Sequence, residues 1–195
     1  MRVPRDKLIE EARKTGFRAE ILEKVVHLLP LLAGLHAHPF LRDRLALKGG
    51  TALNLFVFDC PRLSVDIDLN YVGSIDLEDM LVERPRVEEA VRAVCSREGL
   101  ATARVPTGHA GGKWRLRYLS AFGGGGNLEV DLNFMFRVPL WPVTTEDSRT
   151  IGSFKATAIP IVDIHELAAG KLADRIRRHP GLQWKAQNVR AHRKK

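Results

Sequence analysis

The feature that most constrains the fold is the segment at residues 64–72, SVDIDLNYV, in which apolar and polar residues alternate. A β-strand presents successive side chains on opposite faces, so strict alternation indicates a strand with one apolar face. The two faces carry Val65, Ile67 and Leu69 and, opposite them, Asp66, Asp68 and Asn70. The sequence therefore predicts a β-sheet in which one strand holds two carboxylates on the same face.

Periodicity and turn residues divide the rest of the chain into elements around this strand. Helices are predicted at 6–15, 19–37, 76–98 and 163–178, and Asp163 can cap the last of them. Pro30 should kink or divide the second helix, and Pro85 should break the third. Further strands are predicted at 45–48, 101–105, 113–122, 127–138 and 154–162. Pro160 indicates that the last of these is an edge strand. This order predicts an α+β fold, with a mixed sheet flanked by helices.

Length and composition are typical of one enzyme-sized domain. The 195 residues can bury a core, and 45% of them are hydrophobic. Two cysteines fit a reducing compartment, and we find neither a membrane-spanning run nor a signal-peptide core. We expect a cytoplasmic protein that contacts no membrane. Its parts would be N-terminal helices at 1–40, a core at 41–162, and a C-terminal helix with a basic tail at 163–195, packed as one compact unit.

The net charge of +8, from 31 basic and 23 acidic residues, favours a polyanionic partner such as nucleic acid. Much of the excess lies near the C-terminus, and a basic tail is often only a solvated chain end. Charge alone therefore leaves open a contact with nucleic acid or nucleotides, which it favours, and a merely solvated chain end. A non-catalytic protein that binds RNA through this basic segment is a further alternative to an enzyme.

The strongest chemical signal is the pair Asp66 and Asp68. Two residues along a strand place carboxylates on one face, with Cα atoms about 6.5 Å apart. Such a pair can hold Mg²⁺, which prefers oxygen ligands together with substrate phosphates. The alternative is an exposed strand face with ordinary surface acids.

Two further features raise the weight of the functional reading. Lys48, Gly49, Gly50 and Thr51 precede a helix start, where main-chain N–H groups can approach a phosphate and the Thr51 hydroxyl can donate to it. Asp131 lies on the alternating run LEVDLNFMF and can supply a third carboxylate. The competing interpretation of Asp131 is a surface acid paired with Arg115 or Arg117.

The run LKGGTALNLF, followed by Arg62-Leu63-Ser64-Val65-Asp66-Ile67-Asp68, resembles the first two motifs of the AbiEii/AbiGii toxin family. This family includes the mycobacterial MenT toxins and belongs to the polymerase-β-like nucleotidyltransferase superfamily. Asp131 and the segment ELAAGKLADR match in order, so the resemblance spans roughly residues 45–178. It implies a polymerase-β-like nucleotidyltransferase core.

The resemblance also implies a role for each matching residue. Lys48, Gly49, Gly50, Thr51 and Ser64 would bind the nucleoside triphosphate, and Ser64 would be a site for inactivating modification. Asp66, Asp68 and Asp131 would bind Mg²⁺ and take part in catalysis, together with Lys171 as a cationic clamp on the triphosphate. Of the seven scattered histidines, only His165 is a candidate phosphate contact.

The implied function is that of a toxin that adds nucleotides, with pyrimidines as the family-level expectation, to the 3′ end of tRNA. This would block aminoacylation and translation, and a cognate antitoxin protein from a neighbouring gene would be its partner. A protein or small-molecule acceptor remains an alternative. Family members commonly carry a further Arg-Asp-x-x-Asp pattern after the lysine-containing helix. This sequence lacks it. We expect a compact member of the family; the alternative is that a downstream contribution is missing and activity is reduced.

Overall fold

The computed structural model describes residues 3–59, 62–105 and 111–178. Within these ranges five α-helices pack with a sheet, and the third helix continues into a π-helical turn at Leu53–Val57. The helices are α1 (Arg5–Thr15), α2 (Ala19–Ala37), α3 (Gly49–Ala52), α4 (Leu77–Arg97) and α5 (Ile164–Arg178). The strands are β1 (Leu45–Lys48), β2 (Asp66–Tyr71), β3 (Ala101–Val105), β4 (Gly112–Leu119), β5 (Gly125–Asn133), β6 (Thr144–Glu146) and β7 (Ile159–Ile161).

The seven strands form one mixed sheet in the order β3-β4-β5-β2-β1-β7-β6. Strand β2 lies at its centre, antiparallel to β1 and parallel to β5, while β4 runs antiparallel to β5. The predicted α+β fold with a mixed sheet and flanking helices is therefore confirmed.

The two faces of the central strands differ in polarity, as the alternation predicts. Ile67 and Leu69 of β2, with Val130 and Leu132 of β5, are buried in the core. This face is continuous with buried side chains of α2 and α4 in a single hydrophobic cluster. Trp114 and Tyr118 of β4 are also buried, as expected for core residues. The opposite face keeps its charged side chains, and it is this face that carries the candidate site.

Neither internal proline interrupts its helix, so the break predicted at Pro85 is wrong. Helix α2 runs through Pro30 and α4 runs through Pro85. A proline inside a helix costs about 3 kcal/mol, whereas each fully buried leucine or valine contributes about 1.5–3 kcal/mol. Buried side chains lie on both sides of each proline: Leu28, Leu29, Leu31 and Leu32 in α2, and Met80, Val87, Val91 and Val94 in α4. Tertiary packing therefore outweighs the local penalty.

Two strand predictions are also corrected. Strand β5 ends at Asn133 instead of continuing to 138, because the Asn133 side chain accepts the main-chain N–H groups that would continue the strand. In the run 154–162 only Ile159–Ile161 is a strand, and it lies between β1 and β6. Pro160 is therefore not on an edge strand; the edge is the short β6, which the sequence did not indicate.

A polar cluster fixes the end of β2 to helix α4. The Tyr71 hydroxyl donates to Glu83 at 2.7 Å, and Arg44 donates to the same carboxylate through two nitrogens at 2.8 Å. The half-buried Glu83 carboxylate and the Tyr71 hydroxyl thus satisfy each other's hydrogen-bonding capacity. The strand that carries the acidic pair is anchored at its far end.

None of the helices in the described ranges combines the length and the apolar character needed to cross a membrane. The part of the predicted basic tail from position 179 onward lies outside the described residues.

Candidate functional site

The candidate site is built on a row of charged residues that crosses four neighbouring strands. Strand register places Lys48 of β1 opposite Asp68 of β2, Asp68 opposite Asp131 of β5, and Asp131 opposite Lys113 of β4. Adjacent strands lie about 4.8 Å apart, and opposed residues project from the same face. The structure therefore brings the predicted Asp68 and Asp131 side by side, with a lysine at each end of the row.

Asp66 begins β2, two residues before Asp68, and shares its face. It lies opposite Glu129 of β5 rather than opposite another aspartate. Asp66 and Asp131 are exposed, while Asp68 is half-buried between them and the glycine loop. Three carboxylates predicted from sequence thus share one open face of the sheet.

Burial and two neighbouring carboxylates together disfavour the ionised form of Asp68. The pKa of Asp68 is raised to about 6, chiefly by burial; the charge of Lys48 lowers it, and the charges of Asp131 and Asp66 raise it. A bound cation would relieve this repulsion, because an opposite charge favours the ionised carboxylate. Asp68 is therefore suited to bind a cation.

Two glycines make room for the side chains of the site. Gly49 has a φ of +74°, and a Cβ atom there would overlap the Asp68 carboxylate. A Cβ atom on Gly50 would approach the Ser64 hydroxyl to 2.9 Å. The Gly49-Gly50 pair therefore lies directly against Asp68 and Ser64. Only residues without a side chain allow the main chain to approach both so closely.

Thr51 has a different place from the one expected. It is fully buried, and its hydroxyl donates to the main-chain oxygen of Asp66. The single hydroxyl proton is used in this contact, so the Thr51 side chain holds the start of α3 against β2. The expectation that this hydroxyl donates to a phosphate is corrected on this geometry.

The acids do not form a closed metal cage. Across residues 3–59, 62–105 and 111–178, no three His, Cys, Asp or Glu side chains lie close enough together to hold a metal ion. Mg²⁺ does not need such a cage, because it commonly takes one or two carboxylates together with water and substrate phosphates. Asp66 and Asp68, next to a glycine loop suited to phosphates, fit this type of site.

Lys171 is exposed on α5, and this helix packs against α3 and the following π-helical turn. Its helix therefore lies beside the glycine loop, and the role of Lys171 as a cationic clamp stays a prediction. The Nδ1 atom of the His165 ring lies 2.9 Å from Asp163, whose carboxylate also accepts the His165 main-chain N–H at the start of α5. The phosphate contact of His165 stays a prediction. Asp163 thus caps this helix as the sequence predicts.

Sequence reasoning named Arg115 and Arg117 only as possible partners of Asp131, and it missed Lys113, which lies opposite Asp131 on β4. Lys113 lies 2.7 Å and Arg115 3.4 Å from the carboxylate oxygens of Glu129, and these contacts lower the pKa of Glu129. Glu129, not Asp131, therefore takes the ion pairs across the hairpin. The alternation KWRLRYL carried the signal, because it places Lys113, Arg115 and Arg117 on one face of β4.

Comparison with known proteins agrees with the motifs. Residues 31–178 match the family described as nucleotidyl transferase AbiEii toxin, type IV TA system. Among solved structures, the chain is similar to MenT4, a nucleotidyltransferase toxin from Mycobacterium tuberculosis H37Rv, with 25% sequence identity and a TM-score of 0.57. The similarity covers 86% of this chain and 58% of MenT4, so the chain spans somewhat over half the length of that relative. No curated protein is similar enough to count as a match.

The family match covers more than half of the chain and includes the Gly49-Gly50 loop, the acidic pair, Asp131 and Lys171. The structural similarity extends the agreement to the arrangement of sheet and helices, including the nucleotidyltransferase core that the resemblance implies. The chain belongs to the AbiEii family of nucleotidyltransferase toxins.

Proposed function

We propose that this chain transfers a nucleotide from a nucleoside triphosphate to a hydroxyl group at the 3′ end of tRNA. The observation that carries the proposal is the placement of Asp66 and Asp68 on an open sheet face, with Asp68 directly against the Gly49-Gly50 loop. Family membership supports the same reaction class.

In this reaction the acceptor hydroxyl attacks the α-phosphorus, the bond to the pyrophosphate oxygen breaks, and pyrophosphate leaves. The Gly49-Gly50 loop, Lys48 and Lys171 would bind the triphosphate, and Asp131 would take the proton of the attacking hydroxyl. Asp66 and Asp68 would hold Mg²⁺, which when bound supplies stabilisation of the phosphate charge. Asp131, beside Asp68, would act through this proton transfer, since no three carboxylates among the described residues lie close enough together to hold one metal ion.

A polyanionic acceptor is favoured by a row of cations on the same face of the sheet. We call Lys113, Arg115 and Arg117 the β4 basic strip. Successive members stand about 7 Å apart along the strand. Lys113 and Arg115 share Glu129, whereas Arg117 lies opposite Asn127 and has no ion pair with any described residue. The strip leads directly to Asp131, so a strand of RNA along it would present its end to the acids.

The consequences for the cell follow from this acceptor. Nucleotides added to the 3′ end of tRNA would block aminoacylation and translation, and pyrimidine triphosphates are the expected donors. An antitoxin partner would restrain the chain in the cytoplasm, either by forming a complex or by modification of Ser64. Ser64 stands against Gly50, so a bulky group on its hydroxyl would occupy the space of the phosphate loop. The regions 1–40, 41–162 and 163–195 are proposed to act as one unit.

The direct test is a transfer assay with total RNA, Mg²⁺ and each labelled triphosphate in turn, with Asp66→Ala as the control. We expect label on tRNA-sized RNA with the wild-type protein only, and the most efficient donor identifies the preferred base. Label on protein or on a small molecule would replace the RNA acceptor by one of those classes. No label with any triphosphate from folded protein would contradict the enzymatic proposal.

The β4 basic strip makes a separate prediction. Arg117→Glu should weaken tRNA binding about tenfold at low salt and reduce the salt dependence of binding by about one ion, because one phosphate contact is lost. Binding of the nucleoside triphosphate should be unchanged. Arg92→Glu is the matched control, since Arg92 is an exposed arginine on α4. Equal losses in both variants, measured by filter binding over a salt series, would show that only net charge matters.

A further inference from the structure

Five large apolar side chains stand exposed within seven residues directly after β5. They form the apolar ledge, which consists of Met135, Phe136, Val138, Leu140 and Trp141, each between 45% and 74% exposed. Burial of such side chains is worth about 25 cal/mol per Å², so their exposure leaves a large part of that free energy unused. A ligand or partner that covers them would recover it.

The near end of the ledge is held by the last residue of β5. The Asn133 side-chain oxygen accepts the main-chain N–H groups of Met135 at 2.8 Å and Phe136 at 3.1 Å. These two contacts end the strand and fix the main chain at Met135 and Phe136.

The far end of the ledge is held by two other elements. The Arg137 guanidinium donates to the main-chain oxygens of Phe134 at 3.0 Å and Ile75 at 3.4 Å. The Leu140 main-chain N–H donates to Glu166 of α5 at 2.8 Å. A ledge that is ordered in this way spares a ligand most of the entropy cost of ordering it. The exposed side chains thus belong to a built surface.

Within the ledge, Phe136 is the residue that the structure connects to the acids. Its ring centroid lies 5.8 Å from the Lys48 ammonium nitrogen, and Lys48 stands opposite Asp68 in the strand register. The ring remains 63% exposed in spite of this contact. An open aromatic face therefore adjoins a lysine that we assign to the triphosphate.

We propose that Phe136 is the stacking platform for the base of the bound nucleoside triphosphate. The inference rests on the proposed function, because it extends the same site from the triphosphate to the base. Base and triphosphate belong to one ligand, so the base must lie near the lysine that binds the phosphates, and Phe136 is the exposed ring beside that lysine. Every base has a π-face, so stacking here strengthens binding of all four nucleotides without choosing among them.

The test compares nucleoside triphosphates with inorganic tripolyphosphate, which lacks a base. Affinities are measured by calorimetry with Mg²⁺ for wild type, Phe136→Ala, Phe136→Trp and the matched control Val138→Ala. Phe136→Ala should weaken every nucleoside triphosphate by about 10- to 100-fold and leave tripolyphosphate unchanged. Phe136→Trp should restore the nucleotide affinity, and Val138→Ala, which shortens a ledge residue 61% exposed, should change neither.

Three results would overturn the proposal. Equal losses for the nucleotide and for tripolyphosphate would mean that Phe136 only positions Lys48. Unchanged nucleotide affinity in Phe136→Ala would assign the ledge to another occupant, such as an antitoxin, RNA or a second copy of the chain. Wild type that binds nucleoside triphosphates no more tightly than tripolyphosphate would show that there is no base site. Wild type that binds neither ligand would contradict the proposed function itself, which separates that failure from the failure of the stacking role.

Discussion

Asp68→Asn should reduce nucleotide transfer by at least about 100-fold and leave the folded protein no less stable than wild type at pH 8. The loss of activity follows because the carboxylate that would hold Mg²⁺ becomes neutral, and metal stabilisation of phosphate charge is worth several kcal/mol. Asp66→Asn is expected to behave in the same direction, but Asp68 allows a second, independent measurement through its pKa.

That measurement is the pH dependence of stability without Mg²⁺. The pKa of Asp68 is raised to about 6 from an ordinary value of 3.8, chiefly by burial. Between these two values the folded protein binds more protons than the unfolded chain, so its free energy of unfolding falls as the pH rises through this range. Asparagine does not titrate, so the variant lacks this part of the decline. Thermal denaturation at pH 4, 6 and 8 measures the difference.

A matched control is Asp43→Asn, which neutralises an exposed aspartate before β1. It should change neither transfer nor the decline in stability between pH 4 and 6. Added Mg²⁺ should stabilise wild type more at pH 8 than at pH 5, and Asp68→Asn less than wild type at pH 8. An Asp68→Asn protein that keeps its activity, or that is markedly less stable than wild type at pH 8, would remove Asp68 from the metal site.

The second large effect is expected from a single added methyl group at Gly49. Gly49→Ala forces an L-residue to a φ of +74°, at a cost of about 1–2 kcal/mol, and its Cβ would also overlap the Asp68 carboxylate. Relief of that overlap must move Asp68 or the loop, and a displacement of about 1 Å in a catalytic group can cost about 100-fold in rate. We therefore expect lower stability together with loss of transfer.

Gly16 provides the control for the backbone contribution. Its φ is +73°, nearly that of Gly49, but no atom lies within 4 Å of the place its Cβ would take. Gly16→Ala should therefore be destabilised by about the same 1–2 kcal/mol and retain full transfer activity. Chemical denaturation and the transfer assay, done on both variants, separate strain from displacement. Equal activity in the two variants would show that Asp68 tolerates the intrusion.

Much of the site could be predicted because its acids lie on strands with period-two alternation. Asp66 and Asp68 follow from the pattern of β2, and Asp131 from the pattern of β5. Each prediction used only local sequence. The helix start at Asp163 was equally local, and the structure confirms that its carboxylate caps α5.

The parts that could not be predicted depend on contacts between residues far apart in the chain. The placement of Asp68 beside Asp131 needs the parallel register of β2 and β5, which no local pattern specifies. Buried side chains on both sides of Pro85 keep α4 continuous, although the local rule predicts a break at this proline. The local sequence leaves the Thr51 hydroxyl free to donate to a phosphate, whereas in the fold it donates to the Asp66 main-chain oxygen on β2.

The strand register also bears on when the chain can act. Lys48, Asp68 and Asp131 come from β1, β2 and β5, and they meet only after β5 has inserted beside β2. During synthesis β1 and β2 emerge well before β5, so a nascent chain carries the acidic pair and the glycine loop without Asp131. Its carboxylate set is completed only when most of the sheet has formed. If the chain acts as proposed, a nascent copy would therefore be inactive until β5 has paired with β2.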